Sequence, residues 1–267
     1  MDRTEVNSPG LKKDTPCLLL QGVGKSFSGL KAVNDINLSV AHGSRYALIG
    51  PNGAGKTTLL NLISGALKPT EGQIFYYGKE ISRLSSYGRA ALGITRTFQI
   101  TNLFSDMTVI ENVLLACQAL EKAKFVMFRP LSSYRRFTDE ALALLRKFDL
   151  HGKKDALIKN LSYGDRRQIE VALALAGKPR LLLLDEPGAG LSRAESHEVT
   201  RLLKNLEREI TLIIIEHDMD MAFDVAENII VLHQGEKLAE GTKEEIRENS
   251  IVQDTYLGAG DADVEDY

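Results

Sequence analysis

From Cys17 to about Leu48 the chain consists of short apolar runs broken by Gly and Asn ("LLLQGVGKSFSGLKAVNDINLSV"), which predicts antiparallel strands with tight turns. "RYALIG" then leads through a glycine-rich loop into apolar positions at helical spacing from Thr58 to Leu67, and "GQIFYYG" predicts a further strand. The stretch from about Ser85 to Gly152 reads as mostly helical, because "MTVIENVLLACQAL" and "TDEALALLRKFDL" carry apolar residues three and four apart. Between those two, "EKAKFVMFRPLSSYRRF" has no clear period. From Leu161 the pattern alternates helix, strand, helix, strand through "RRQIEVALALA", "RLLLLDEP", "AESHEVTRLLKNL" and "ITLIIIEH". Continuously apolar strands set between helices indicate a parallel sheet buried on both faces. The expected fold class is therefore α/β, with a parallel-sheet core, an antiparallel β subdomain and an α-helical subdomain inserted at about 85–178.

Composition narrows this picture without redirecting it. At 267 residues and 43% hydrophobic, the chain can fill one core, or one core plus a small lobe. The expected domain spans 16–258, with a polar tail at 1–15 and an acidic tail at 259–267 that both read as disordered. A net charge of −3 provides no basic field for nucleic acid, so none is expected as a partner. The longest apolar runs, around Leu181–Leu184 and Leu212–Ile215, fall far short of the roughly 20 residues that cross a bilayer. Cys17 and Cys117 are far apart and belong to no C-x-x-C pair, which argues against zinc and a disulfide framework and for a reducing cytoplasm.

Two strings carry chemistry. Gly50-Pro51-Asn52-Gly53-Ala54-Gly55-Lys56-Thr57 matches G-x-x-x-x-G-K-[ST] and lies after the strand "YALI" and before a helix, where the motif works. Small residues let backbone N–H groups turn inward around phosphates, and a helix N-terminus adds partial positive charge. Lys56 would neutralise the β and γ phosphates and the Thr57 hydroxyl would bind Mg²⁺, with Thr58 next in the phosphate-facing set. The second string is Leu181–Leu184 followed by Asp185-Glu186, two carboxylates at the C-terminal end of a buried strand, where open α/β sheets bind ligands. Asp185 would hold Mg²⁺ directly or through water, and Glu186 would polarise the attacking water as general base. Pro187 and Gly188 intervene before any helix, which speaks against two acids that merely cap one. A guanine-specifying N-K-x-D is missing from the sequence, so a Ras-type GTPase is disfavoured.

"LSYGD" at Leu161–Asp165, just upstream of the acidic strand, resembles the signature of the ATP-binding-cassette family, usually L-S-G-G-Q. The chain departs from it at Tyr163 and Asp165 and keeps Ser162 and Gly164. By its residues alone, Ser162 is an N-cap with Asp165 as capping-box acid, ahead of Ile169, Ala172, Leu173 and Ala176 on one helical face. The resemblance implies more: Ser162 and Gly164 would close on the γ-phosphate held by an opposite subunit, so that two cassettes sandwich two ATP molecules head to tail. It also identifies Gln99, after "GITRTF", with the glutamine that touches Mg²⁺ or water and connects to the transmembrane partner. His217, after "TLIIIE", falls where the family has its γ-phosphate-contacting histidine. Ala189-Gly190-Leu191-Ser192 aligns with the family's D-loop, with Ser192 where Asp is usual. Phe27 is either the aromatic that stacks on adenine or a core phenylalanine of a strand.

Within the family, "GITRTFQITNLFSDMTVIENV", "LSYGDRRQIEVALALA" and "DTYLG" resemble ATPase subunits of branched-chain amino-acid importers, and the ATPases of urea import and lipopolysaccharide export share parts of these strings. The implied protein is a Mg-dependent ATPase peripheral to the cytoplasmic face of the membrane. Its implied partners are two integral-membrane permeases, a second ATPase or a second copy of itself, and indirectly a periplasmic or extracellular binding protein. A soluble cassette ATPase that acts on macromolecules is the alternative; such proteins usually carry paired cassettes or coiled-coil inserts, and this chain has one cassette and no sustained heptads. A nucleotide-binding subunit without catalysis is disfavoured by Lys56, Asp185, Glu186 and His217 together.

Overall fold

A computed structural model describes residues 15–97, 103–119 and 135–254. The elements run β1 (Leu18–Phe27), β2 (Leu30–Val40), β3 (Arg45–Ile49), α1 (Lys56–Ser64), β4 (Glu71–Tyr76), β5 (Lys79–Glu80), α2 (Ser86–Ala91) and β6 (Ile94–Arg96). Then come α3 (Val109–Gln118), α4 (Arg135–Lys147), α5 (Tyr163–Ala176), β7 (Leu181–Asp185), α6 (Arg193–Lys204) and β8 (Thr211–Ile215). The chain continues with α7 (Met219–Val225), β9 (Asn228–His233), β10 (Glu236–Thr242), α8 (Lys243–Glu248) and α9 (Ser250–Val252).

Two sheets form. One has the order β2-β1-β4-β5 and is antiparallel; the other has the order β10-β9-β3-β8-β7-β6 and is parallel except for β10. Every residue of β3, β7 and β8 is buried, as expected of strands covered on both faces. Alternate residues serve different cores. Ala47, Ile49, Leu182, Leu184, Leu212 and Ile214 pack with the helices α3 to α7, whereas Leu48, Leu181, Leu183, Ile213 and Ile215 pack with α1 and the antiparallel sheet. The parallel sheet is thus the middle layer, and its C-terminal edge is the place where loops from β3, β7 and β8 meet.

Arg89 ties α1 to the segment that follows it. Fully buried, it donates to the carbonyls of Leu62 and Ile63 at 2.6 and 2.8 Å, where α1 runs out of helical donors, and to those of Ile81, Ser82 and Leu84 at 2.7, 3.2 and 3.2 Å. Burial lowers its pKa to about 10. Arg89→Met should strand these carbonyls and reduce stability by about 2 kcal/mol, read as a melting temperature lower by roughly 4–8 °C. An unshifted melt would mean that water reaches them instead.

Two local expectations turn out differently. The stretch read as mostly helical from Ser85 to Gly152 contains β6, which pairs in parallel with β7 and extends the core sheet. Three residues are too few to show a period of two, and only the exposed edge of β7 recruits them. The Asp165 carboxylate does not reach back to form a capping box. Ser162 Oγ accepts from the Asp165 amide at 3.1 Å, but the side chain turns to Lys153 Nζ, 2.7 Å from both carboxylate oxygens. The expected tails at 1–15 and 259–267, Thr15 excepted, lie outside the described residues, as does Gln99.

Candidate functional site

The phosphate loop follows β3 and enters α1 with its backbone forced into left-handed geometry. Gly50, Gly53 and Gly55 have φ of 144°, 80° and 98°, and a Cβ on Gly50 would collide with the Leu232 carbonyl oxygen. Gly55 is the N-cap of α1 and supplies no side-chain cap, so the first helical amides stay open toward the loop. The hydroxyl-bearing side chain of Thr57 is exposed there, Thr58 is half-buried, and Pro51, Asn52 and Gly53 form the outer rim. Lys56 is buried and its Nζ donates to the carbonyls of Gly50 and Pro51 at 2.6 and 3.0 Å. Burial lowers the pKa of this ammonium; Glu186 and then Asp185 oppose the shift.

β8 lies between β3 and β7 and brings the acidic string to the same edge; Ile215 is in register with both Leu48 and Asp185. Asp185 is fully buried. Its Oδ2 accepts from Arg96 Nη2 at 2.7 Å, and Arg96 Nη1 reaches Asn61 on α1 at 2.5 Å. The other oxygen, Oδ1, has no hydrogen-bond partner among the described residues. An orphaned carboxylate oxygen deep in a site is costly unless something cationic or protic meets it. Together with the Thr57 hydroxyl it is an oxygen set of the kind Mg²⁺ prefers, completed by substrate oxygens and water, and the residues fit that ion. Among the described residues, no cluster of three or more His, Cys, Asp or Glu side chains could hold a metal without such help.

Glu186 and His217 come from different strand ends, β7 and β8, and meet: His217 Nε2 is 2.8 Å from Glu186 Oε1, a geometry in which the imidazole N–H donates to the carboxylate. Glu186 has φ of 50°, an uncommon conformation for a residue with a side chain and one that recurs at functional sites. The neighbouring loop is pinned by Glu216, a residue not singled out by the sequence. It accepts from the Gly188 amide at 2.6 Å and from the His217 amide at 3.1 Å, and burial raises its pKa. Its position directly before His217 at the end of an apolar strand was the available signal. Phe27 ends β1, is 43% exposed as a residue and has Lys25 Nζ 5.2 Å from its ring centroid, so it is not a core phenylalanine.

Ser162 is the N-cap of α5 and Gly164 lies in the first turn of that helix. Among the described residues neither bonds to Gly50–Thr58; the Gly164 amide donates to Glu195 Oε1 at 3.1 Å, and Glu195 Oε2 accepts from the Ser192 hydroxyl at 2.7 Å. Ser192 is the N-cap of α6 with Glu195 as its capping-box partner. Glu195 therefore clasps the Ser162–Gly164 segment to Ser192 within one chain. Tyr163 is exposed beside Gly190, and the Asp165 charge is met by Lys153, so neither departure from the usual signature leaves an unpaired acid there.

A sequence profile for the ABC transporter family matches residues 33–189. The chain is 40% identical over 250 residues to the high-affinity branched-chain amino acid transport ATP-binding protein LivG of Escherichia coli, covering 91% of this chain and 98% of that one. It is 38% identical over 251 residues to BraF, the corresponding protein of Pseudomonas aeruginosa, with 91% and 98% covered. Among solved structures, the ADP conformation of an ATP-binding cassette of an ABC transporter superposes with a TM-score of 0.78 at 29% identity, covering 91% of this chain and 99% of that one. Fold, profile and identity agree, and the chain belongs to the ABC transporter family.

Proposed function

We propose that this chain is the ATP-hydrolysing subunit of an ABC importer whose cargo is a branched-chain amino acid or a similar small polar solute. The reading is carried by one observation: the glycine-rich loop with Lys56, the half-satisfied Asp185 and the Glu186–His217 pair share the C-terminal edge of three adjacent strands. Amides of Gly50–Thr58 cradle the phosphates, Lys56 moves from the Gly50 and Pro51 carbonyls onto the β and γ phosphates, and Phe27 offers its exposed ring to adenine. Thr57, Asp185 and Gln99 would hold Mg²⁺, which would supply positive charge to the phosphate oxygens. Glu186 takes a proton from the attacking water, and His217 orients that carboxylate and faces the γ-phosphate. Ser162 and Gly164, at the N-terminus of α5, would act on the nucleotide of a second ATPase in a head-to-tail dimer, a reading supported by a dimeric ATP-binding cassette bound to ADP and Pi at 27% identity and a TM-score of 0.72.

No helix among the described residues is long and apolar enough to cross a membrane. By the pattern of the family, two permease subunits would dock this chain at the cytoplasmic face near Gln99. The cargo assignment rests on the relatives' names. Tagged protein captured from gently solubilised native membranes should bring down multi-spanning permeases and a second ATPase, identified by mass spectrometry, and disruption of its gene should abolish uptake of labelled leucine. Capture of soluble machinery without any membrane protein would reject transport; permeases with intact leucine uptake would reject the cargo.

A further inference from the structure

We infer that Arg167 is a positioning residue that couples the signature helix to the catalytic carboxylate of the same chain. This rests on the reading of Glu186 as general base. Arg167 lies on α5, the helix capped by Ser162, and is 4% exposed. Its guanidinium spans the end of β7. Nε donates to the Pro187 carbonyl at 3.0 Å, and Nη2 to the Asp185 carbonyl at 3.2 Å and to the Glu186 carbonyl. Three consecutive carbonyls around the reacting residue are thus held by one planar fork. The fork is itself fixed by Glu170, one turn further along α5, whose Oε2 accepts from Nη1 at 2.7 Å.

The arrangement exceeds what gluing a helix to a strand requires. Glu186 sits at φ 50°, a conformation that persists only when its surroundings over-determine it. Its amide donates to the Ile215 carbonyl at 2.9 Å and its carbonyl accepts from Ala189 at 3.1 Å, so two of its ties come from the sheet edge and its own loop. Arg167 adds the tie that comes from α5. A shift of α5, whose N-terminus engages the partner's nucleotide, therefore moves the Glu186 backbone without passing through the phosphate loop. Burial raises the pKa of Glu170, with Arg167 opposing, and its Oε1 has no hydrogen-bond partner among the described residues. The pair is costly for the interior to keep, consistent with a role beyond packing.

The test is Arg167→Lys in the full-length chain, with Glu170→Gln as second variant in case the first does not fold. Lys keeps the charge but cannot bridge three carbonyls. The expected result is a kcat lower by roughly 10- to 100-fold, the scale of a misplaced catalytic group, with KM and the affinity for a fluorescent ATP analogue within about twofold and a melting curve near the parent's. Glu170→Gln, which keeps an acceptor but loses the charge that fixes the fork, should fall between Arg167→Lys and the parent in kcat with the same unchanged KM. Parental kcat in either folded variant, or a parallel loss of kcat, nucleotide affinity and melting temperature, would overturn the inference and leave Arg167 as a structural bond. A parent chain that does not hydrolyse ATP, or whose rate survives Glu186→Gln, would instead reject the reading of Glu186 on which the inference rests.

Discussion

Glu186→Gln is expected to leave ATP binding within about twofold of the parent and to cut steady-state turnover by at least about a hundredfold, the range for losing a general base. Glutamine preserves the volume and retains a carbonyl oxygen that can accept from His217 Nε2, now 2.8 Å from the carboxylate, so the local geometry should survive. What disappears is the ability to take a proton from water. Phosphate release measured alongside equilibrium binding of a fluorescent nucleotide separates the two effects. Turnover near the parent's rate would move the base elsewhere and reduce the Glu186–His217 pair to a structural contact.

Lys56→Ala should weaken nucleotide binding itself, raising the dissociation constant roughly 10²- to 10³-fold, as expected when one partner of a buried charge pair is truncated. Without nucleotide the ammonium is satisfied by the Gly50 and Pro51 carbonyls, and burial has already weakened its hold on the proton. Binding exchanges those two neutral acceptors for phosphate oxygens, a stronger, charge-assisted bond. Calorimetric titration with Mg-ATP checks the loss, and a melting curve checks that the loop still folds. Unchanged affinity would remove Lys56 from the phosphate site.

The parts of this site legible in the sequence are those whose chemistry is local. A loop of small residues needs its glycines within a few positions of one another, and Gly50, Gly53 and Gly55 all take positive φ as the motif requires. Asp185-Glu186 and His217 were visible because apolar runs end at them, and a buried strand must surface where its apolar residues stop. The residues that hold them in place gave a weaker signal or none: Glu216 shares the strand end that marks His217, whereas Arg96 and Arg167 end no apolar run. Arg96 meets Asp185 across 89 positions, Glu216 meets Gly188 across 28, and Arg167 meets Pro187 across 20. Read along the chain, each is a charged residue that could as well be solvated, and only the pairing of strands turns it inward. Asp165 shows the reverse: a capping box was a sound local reading, and Lys153, 12 positions away, offered its carboxylate a full charge instead of an amide.

The sequence by itself determined that this is an α/β protein of the ABC family with a phosphate loop, an acidic strand end and a histidine strand end, because backbone conformation and strand burial depend on neighbours a few residues apart. The tertiary structure decided that β8 would lie between β3 and β7, that the short strand β6 would bring Arg96 to Asp185, and that the signature helix would grip the backbone of Glu186 through Arg167. Those outcomes follow from which apolar faces bury one another and which buried charges find partners, a balance over the whole core that no local pattern contains.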